Sequence, residues 1–593
     1  MTTKKARRFA LILCATLLFS TMLFMMPSAA LAAEGDTGTT GIWLWKELAD
    51  GTLEIVTCTT PAGSLTLPDK LDIDPAGTVD EREVTSIGNG AFGMASGITA
   101  ISLPSTLTSI GENAFISCTG LQSITIPAGV VTIGDYAFAS CSSLETVTMQ
   151  DGLKTLGASA FSGCASLTTV AVPDTVTGIG AAAFSSCTNL ESITLPSNPA
   201  FTELAENLFI NCGRLESIAI PTTVTAIHDN AFVETNLTSI TIPANVSFLG
   251  EMVFAACPNL AAFQVDPANA HFLSDGGVLY SKDKTNLIAC PIPTTGVFTV
   301  PASVTDLSAG AFIYCQYLTR IELPDNLQTI GMVAFGYTGI TDITIPKNVT
   351  SLGIGAFMGC QDLTKAVFLC PAATLDLNVF LQSGIDDDGI YGFAGSTIQT
   401  YATENNHPFH TLVTVSFDSG EGSTVGDVYA ETGHTFTAPA DPTCTGYVFT
   451  GWYADEALTD PWDFDTDTLT GDMELYAGWA PVLAFATTPA SSLIYVGGRI
   501  TITPSISGGT WDFDEALLSR EGNTFTGLKA GAARITYTAG AQSAHADITI
   551  REAELPATGQ DFSAALWLLV LAALACGAAV LRFKLKACNS GQS

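Results

Sequence analysis

The chain has 593 residues, with 57 acidic and 22 basic side chains and a formal net charge of −35. Charged residues make up only 13% of the chain, about half the usual share of roughly 25%, while hydrophobic residues reach 47%. The apolar content excludes an acidic disordered chain, and the shortage of Lys and Arg excludes a basic nucleic-acid-binding surface. Apolar runs near 20 residues occur only at the two ends, which excludes a multispan membrane protein. The composition therefore indicates a long, acidic, secreted chain of several domains.

Residues 1–32 have the three parts of a secretory signal peptide. The basic start contains Lys4, Lys5, Arg7 and Arg8. An uncharged, mostly apolar stretch follows over residues 9–26, and residues 30–32 give the small-residue pattern Ala-Leu-Ala. We expect cleavage after residue 32, with a retained membrane anchor as the alternative.

The other end, residues 552–593, combines a short motif, an apolar segment and a basic tail. The motif consists of Leu555, Pro556, Ala557, Thr558 and Gly559. Residues 562–581 are uncharged and long enough to cross a bilayer as a helix. The basic tail contains Arg582, Lys584 and Lys586, and such a tail favours a cytoplasmic C-terminus.

This arrangement resembles the LPxTG cell-wall sorting signal of Gram-positive surface proteins, and a plain C-terminal membrane anchor is the alternative. The resemblance implies that a sortase thiol attacks the Thr558 carbonyl and that the acyl group passes to a peptidoglycan amine. Pro556 favours an extended or turned substrate, and Gly559 leaves room at the scissile bond. The expected partners are therefore sortase and peptidoglycan, with the membrane contacted only through the helix before processing.

Residues 84–412 are built from a repeat of about 23 residues with the consensus LxxIxIPxxVxxIGxxAFxxC. Its phenylalanines are Phe92, Phe115, Phe138, Phe161, Phe184, Phe209, Phe232, Phe254, Phe312, Phe335, Phe357 and Phe380. The alternating apolar residues predict a short strand that ends at proline, and the glycine of the IG pair is expected to let the backbone turn. The phenylalanine then enters the centre of the coil, and stacked coils share one core.

The repeat resembles the BspA-type, or Treponema-type, leucine-rich repeat. The predicted fold class is a mainly β repeat protein, a right-handed leucine-rich-repeat solenoid with a parallel sheet along one face. Small β modules and a C-terminal hydrophobic helix follow it. Residues 33–83 are interpreted as the N-terminal cap that a solenoid needs over its end coil.

Eight of the 15 cysteines lie three residues after a repeat phenylalanine. They are Cys118, Cys141, Cys164, Cys187, Cys212, Cys257, Cys315 and Cys360. In-register stacking holds parallel side chains about 4.8 Å apart, whereas a disulfide needs converging Cβ atoms about 3.8 Å apart. The pattern therefore favours buried apolar thiols over a disulfide framework or a zinc site.

The repeat register breaks once, between Phe254 and Phe312, over an insert at about 265–296. Two glycines after Asp275 stand between alternating apolar runs and predict a hairpin that projects from the solenoid or widens it. The segment resembles the DGVLY insert of BspA-type arrays. A structural variant repeat and a partner site both remain open for it.

Two further modules follow the repeats. Residues 413–479, with the features FDSG, GYVFTGWY and LYAGW, resemble the internalin B-type, or Listeria–Bacteroides, repeat, which implies a β-grasp-like fold. Trp452, Tyr453 and Trp479 are interpreted as core rather than as a glycan platform. Residues 480–551 have short alternating runs between glycine-rich turns, and resemble bacterial immunoglobulin-like modules.

The sequence contains no motif for catalysis, a metal or a phosphate. No catalytic residue, metal ligand or cofactor is therefore predicted, and the six scattered histidines form no ligand triplet. Two functions remain open. One is a wall-anchored adhesin, exposed outside a Gram-positive cell, whose repeats bind an unknown host protein or glycan. The other is a structural surface or stalk component without a single ligand.

Overall fold

The computed structural model describes residues 36–74, 79–540 and 542–552. The signal peptide and almost all of the sorting signal, including the apolar segment 562–581, lie outside these ranges. The chain divides into two compact units after Thr411. Among the described residues, no helix is both long and apolar enough to span a membrane.

The first unit is a β-solenoid of about 14 turns, and the described chain is mostly β and about 2% helical. The predicted mainly β solenoid fold is confirmed. Most coils carry one longer and one shorter strand, so the chain forms two rows of parallel strands where the sequence predicted one; the coil at residues 215–220 has no strand of the longer kind. The strands of the long-strand row are Ala62–Thr66, Gly97–Ser102, Ser123–Ile126, Thr146–Met149, Thr169–Ala171, Ser192–Thr194, Ser239–Ile242, Ala262–Val265, Gly296–Thr299, Leu318–Glu322, Asp342–Ile345, Lys365–Phe368 and Gly389–Phe393.

The short-strand row lies at the V-x-x-I-G part of the repeat, just before the phenylalanine turn. Its strands are Glu81–Ile87, Ser109–Ile110, Thr132–Ile133, Thr155–Leu156, Gly178–Ile179, Glu203–Leu204, Ala226–Ile227, Phe248–Leu249, Asn286–Ala289, Asp306–Leu307, Thr329–Ile330, Ser351–Leu352 and Thr374–Leu375. Neighbouring strands pair in parallel at equivalent repeat positions, as Thr132 with Thr155. This pairing keeps each repeat position in one line along the solenoid.

Both ends of the solenoid and its insert depart from the repeat. The chain starts with an antiparallel meander of three strands, Thr37–Thr40, Trp43–Glu47 and Leu53–Cys58. The strand Glu81–Ile87 pairs with the last of them and also with the short strand Lys70–Asp72. In the insert, Phe272–Asp275 and Val278–Ser281 form an antiparallel hairpin. Its turn residues Gly276 and Gly277 have φ of 58° and 85°.

The last coils are followed by a helix, Thr397–Asn405, that the sequence did not predict. Ser396 caps its N-terminus by accepting a hydrogen bond from Gln399 N, and Asn406 ends it in the left-handed conformation. The buried Ile398 and Ala402 join the core of the last coils. The apolar face of the helix consists of so few residues that no helical period stands out in the sequence.

The second unit contains the two small β modules. In the first, the strands are Phe409–Asp418, Val428–Glu431, Tyr447–Tyr453 and Met473–Pro481. In the second, two four-stranded sheets enclose a core that includes Ile500, Phe525 and Ile535. The strands of these two sheets are Phe485–Thr488, Leu493–Tyr495, Arg499–Pro504, Thr510–Phe513, Leu518–Glu521, Thr524–Gly527, Gly531–Ala539 and Gln542–Arg551.

The repeat glycines are required for a reason that differs from the predicted one. Gly134 and Gly157 do not have a left-handed φ; that conformation falls on the residues two places before and after the phenylalanine, such as Tyr136 and Ser140. A Cβ built on Gly157 would lie 2.4 Å from Asp135 N of the preceding coil. These glycines therefore permit the close approach of adjacent coils.

Replacing Gly157 with alanine is expected to lower the free energy of unfolding by about 1–3 kcal/mol, because the new methyl group must push two backbones apart. Gly178→Ala is the matched control, since Gly178 lies in the short-strand row with nothing within 4 Å of the added Cβ. Its expected effect is within about 0.5 kcal/mol. Urea unfolding of the exported protein, followed by circular dichroism, makes the comparison. Equal stability of the two variants would contradict the close-approach argument.

Candidate functional site

The repeat phenylalanines form a stack along the axis of the solenoid. The rings of Phe115 and Phe138 are fully buried, with centroids 5.0 Å apart and planes 4° from parallel. The stack has two runs, from Phe92 to Phe254 and from Phe312 to Phe380. All the predicted spine residues, Phe115, Phe138, Phe161, Phe184, Phe232, Phe312, Phe335 and Phe357, lie in these runs. Their place is therefore structural: they fill the centre of the coils.

Except for the turn before the insert and the last turn, each phenylalanine turn is hydrogen-bonded to the next by three main-chain N–H groups. In one turn, Asn113 N donates to Asp135 O over 2.8 Å, Phe115 N to Ala137 O over 2.6 Å, and Ser117 N to Ala139 O over 2.7 Å. The N–H groups of Asn113, Phe115 and Ser117 point in the same direction because Asn113 and Ser117 have a left-handed φ of 57°. We call this set of turns and bonds the turn stack.

The predicted cysteines form a second line of contacts beside the turn stack. Each thiol of the regular coils donates to the carbonyl of the phenylalanine in the preceding coil, as Cys141 Sγ to Phe115 O over 3.1 Å. The same bond is made by Cys118, Cys164, Cys187, Cys212, Cys257 and Cys360, at 2.9–3.2 Å. The structure holds all of them as free, buried thiols. A thiol here therefore satisfies a buried carbonyl.

Two coils have threonine where eight others have cysteine, and the first and last coils have Ala95 and Ser383 there. Thr235 and Thr338 follow their phenylalanines by three residues, are buried, and donate to the carbonyls of Phe232 and Phe335 over 2.9 Å. These hydroxyls bond within their own coil, whereas the thiols bond to the preceding coil, and a hydroxyl has no capacity to form a disulfide. The substitution supports a packing role for this line of residues.

Cys315 is the exception among the predicted cysteines. Its thiol lies against the carbonyls of Cys290 and Pro291, at 3.8 and 3.6 Å, because the preceding coil has no phenylalanine turn. A hydrogen bond from the Cys315 thiol, with help from Thr294, lowers the pKa of Cys290, whereas the same contact raises that of Cys315. Sequence reasoning missed Cys290, since it lies outside the three-residue spacing.

The outer side of the long-strand row forms a surface of hydroxyl groups. Its exposed residues are Ser123, Thr125, Thr146, Thr148, Thr169, Ser192 and Thr194, with Ala171 as the one exception over these four coils. They stand in register, Ser123 beside Thr146 and Thr125 beside Thr148. We call these side chains the hydroxyl face. A cavity of about 460 Å³ opens at its N-terminal end, between Thr66 and Thr125.

The C-terminal end of the solenoid holds a cluster of aromatic and histidine side chains. Tyr401, from the helix, accepts a hydrogen bond from Phe380 N over 3.4 Å, and so satisfies a turn-stack donor that has no following coil. His407 Nδ1 lies 2.6 Å from Asp386 Oδ1, and the His410 ring stacks on Tyr391 at 4.4 Å. These contacts close the solenoid, and the described ranges contain no cluster of His, Cys, Asp or Glu suited to a metal ion.

The other predicted residues separate into two sets. In the first β module, Trp452 is buried against Phe417 and Phe449, and the Trp479 indole donates to Ser419 O over 3.2 Å. Their contacts are those of core residues. The sorting motif, Leu555, Pro556, Ala557, Thr558 and Gly559, lies outside the described residues.

Comparison with known families decides what kind of repeat this is. A model of the BspA type leucine rich repeat region matches six copies over residues 79–180, 154–274 and 294–407, which together are 310 of the 593 residues. The chain belongs to the BspA-type leucine-rich repeat family. Residues 414–478 match the Listeria-Bacteroides repeat domain. Of the predicted resemblances, those to the BspA-type repeat and to the Listeria–Bacteroides repeat are confirmed.

Two relatives from Evansella cellulosilytica match only a short part of the chain. One, named as a Gly-rich membrane protein, is 56% identical over 66 residues, which are 11% of this chain and 8% of the relative. The other, named as a membrane protein, is 53% identical over 68 residues, 12% of this chain and 10% of the relative. The chain thus spans a tenth or less of the length of these relatives.

Solved structures similar to this chain include three bacterial proteins. A leucine rich cell surface protein from Faecalibacterium prausnitzii is 25% identical, with a TM-score of 0.48, and covers 62% of this chain and 98% of its own. A leucine-rich repeat protein from Bacteroides ovatus is 25% identical, with a TM-score of 0.41 and coverage of 64% and 99%. The pneumococcal vaccine antigen PcpA is 19% identical, with a TM-score of 0.39 and coverage of 64% and 98%.

Burial raises the pKa of the thiols beside the turn stack, to about 11 for Cys118 and about 12 for Cys187, and well above the usual value for Cys164. The reactive thiolate forms only as pH rises through the pKa, so these residues are expected to resist iodoacetamide at pH 8. Among the cysteines that the structure describes, partly exposed Cys444 should be labelled first. Peptide mass spectrometry after timed labelling gives the order, with protein in guanidinium as the control in which all thiols react. Labelling of Cys164 as fast as Cys444 in the native protein would contradict this account.

Proposed function

We propose that this protein is an adhesin-type binding protein exposed at the surface of a Gram-positive bacterium. The family assignment, the signal peptide sequence and the LPATG motif support this location. Sortase would join Thr558 to peptidoglycan, and in the sequence the modules of the second unit lie between the solenoid and this attachment point. A repeat array of this family offers extended surface for binding rather than a deep catalytic cleft.

The hydroxyl face is the observation on which the binding role rests. Over four coils its outward side chains are Ser and Thr with one Ala, and none is charged. Hydroxyls both donate and accept hydrogen bonds, and parallel pairing repeats them about every 4.8 Å. Such a surface matches the alternating hydroxyl and ring-oxygen groups of a neutral polysaccharide or glycoprotein glycan. The net charge of −35 disfavours polyanions as ligands.

The competing function is a structural stalk without a specific ligand. It predicts the same wall attachment but no saturable binding. A binding experiment therefore distinguishes the two functions, whereas a localisation experiment does not.

Two charges placed on the hydroxyl face are expected to abolish binding of a neutral glycan, because each carboxylate must be desolvated in the complex. The test variant is Thr125→Glu with Thr148→Glu. The matched control is Thr132→Glu with Thr155→Glu, which places the same charges on exposed positions of the short-strand row. The exported protein is applied to an array of neutral glycans and matrix glycoproteins at physiological salt.

Loss of at least about tenfold in affinity for the first variant alone, a difference of about 1.4 kcal/mol, supports the proposal. Absence of saturable binding by the unaltered protein would favour the stalk. Equal loss in both variants would place the ligand elsewhere.

For attachment, Thr558→Ala is expected to move the protein from the wall fraction to the membrane fraction and the medium, because the acyl donor of the sortase reaction is changed. Ala557→Ser, at the variable position of the motif, is the control that should keep wall attachment. Cell fractionation and immunoblotting measure both. Full retention of Thr558→Ala in the wall fraction would refute sortase anchoring.

A further inference from the structure

The insert places a cysteine at a phenylalanine position of the repeat. In regular coils the phenylalanine N–H donates to the residue before the next phenylalanine, as Phe115 N does to Ala137 O. Cys290 N makes the equivalent bond to Ala311 O over 2.7 Å, and Ala311 directly precedes Phe312. Cys290 therefore takes the phenylalanine position of a shortened turn, and it is buried there.

Cys315 comes from a different repeat position and meets Cys290 at this turn. A cysteine of the regular coils points to the carbonyl of the phenylalanine in the preceding coil, as Cys141 Sγ does to Phe115 O. For Cys315 the equivalent residue is Cys290, whose carbonyl oxygen lies 3.8 Å from Cys315 Sγ. The sulfurs of Cys290 and Cys315 both lie against Pro291 O, at 3.8 and 3.6 Å. Because they share this oxygen, the two sulfurs are neighbours.

The argument against disulfides between regular coils does not apply to this pair. Cysteines at one repeat position, such as Cys141 and Cys164, have parallel side chains one coil apart, so their Cβ atoms do not converge. Cys290 and Cys315 occupy different repeat positions and are not held in that parallel alignment. Their thiols also hydrogen-bond to each other, which requires the sulfurs to face one another.

Cys290 is the more reactive member of the pair. The hydrogen bond from Cys315, with a second from Thr294, lowers the pKa of Cys290, whereas burial raises that of a regular thiol such as Cys187. Cys290 lines a cavity of about 770 Å³ whose wall also includes Phe248, which is 49% exposed. A small reagent can therefore reach the Cys290 sulfur through this cavity, and at neutral pH it meets more thiolate there than at the regular thiols.

We propose that Cys290 and Cys315 form a disulfide by exchange with a low-molecular-weight disulfide outside the cell. The Cys290 thiolate attacks one sulfur of the small disulfide, which forms a mixed disulfide and releases a small thiolate that takes up the proton lost from Cys290. The Cys315 sulfur then attacks Cys290 Sγ, and its proton passes to the second small thiolate as this leaves. Two protein thiols are thereby oxidised to one disulfide, and the small disulfide is reduced to two thiols.

The bond ties the insert to the coil that follows it. The turn stack has one main-chain bond at this junction, from Cys290 N to Ala311 O, where a regular junction has three. A disulfide closes the loop of residues 290–315 and so restricts the unfolded chain. It therefore stabilises the solenoid at a place where main-chain bonding is reduced, independently of any ligand on the hydroxyl face.

Mass spectrometry of the exported protein tests the bond. The protein is incubated with oxidised glutathione, unfolded in guanidinium with excess iodoacetamide to cap free thiols, and digested. A peptide pair joined through Cys290 and Cys315 is expected, with Cys141 and Cys164 alkylated. Cys290→Ser and Cys315→Ser should lose the joined pair, whereas Cys164→Ser, the matched control in a regular coil, should keep it.

Urea unfolding then measures what the bond does for stability. The oxidised protein should have a higher urea midpoint than the same protein after dithiothreitol, because the cross-link restricts the unfolded chain. Cys290→Ser should have the same midpoint in both conditions, and circular dichroism of this variant and of Cys315→Ser checks that each is folded.

Three results would overturn the proposal. They are alkylation of both Cys290 and Cys315 after incubation with oxidised glutathione, a lasting glutathione adduct on Cys290 without the joined pair, and linkage of Cys141 to Cys164 in equal yield. Equal urea midpoints for the oxidised and reduced unaltered protein would overturn the stabilising role of the bond.

Discussion

The distance between successive coils is the constraint on which the rest of the solenoid depends. Main-chain bonds such as Phe115 N to Ala137 O, at 2.6 Å, draw adjacent turns together. At this separation a Cβ on Gly157 would meet the neighbouring backbone, buried rings stack 5.0 Å apart, and a thiol reaches the carbonyl of the coil before it. Glycine, phenylalanine and cysteine recur every 23 residues because each suits this one spacing.

The sequence predicted the solenoid because its period is exposed in the primary structure, whereas contacts between coils are not. A recurring glycine shows that no side chain is accepted, but it does not say whether φ or a neighbouring backbone is the cause. In the structure, the backbone of the adjacent coil is what excludes a side chain at these glycines, and the left-handed φ occurs instead at residues such as Ser140. The second parallel row was missed because two-residue strands, such as Thr132–Ile133, carry no visible alternation.

The same reasoning explains why the irregular places were not predicted from the sequence. The helix Thr397–Asn405 and its Tyr401 act once, so no repetition marks them. The insert was visible as a break in register, but the loss of a hydrogen-bonding turn is apparent only in the structure, where Phe254 N lacks its acceptor among the described residues. In a linear array each coil contacts only its neighbours, so a missing turn cannot be compensated by distant parts of the chain.

Exact repetition also separates two chemistries on one molecule. Because most coils have nearly the same length, strand positions stay in line as an uncharged hydroxyl face, while the position three residues before the phenylalanine is acidic in five coils, at Glu112, Asp135, Glu206, Asp229 and Glu251. A neutral glycan matches the first surface, so its binding does not require the acidic positions. The insert is where this alignment is interrupted, because Cys290 N supplies only one of the three main-chain bonds that a regular turn makes to the next.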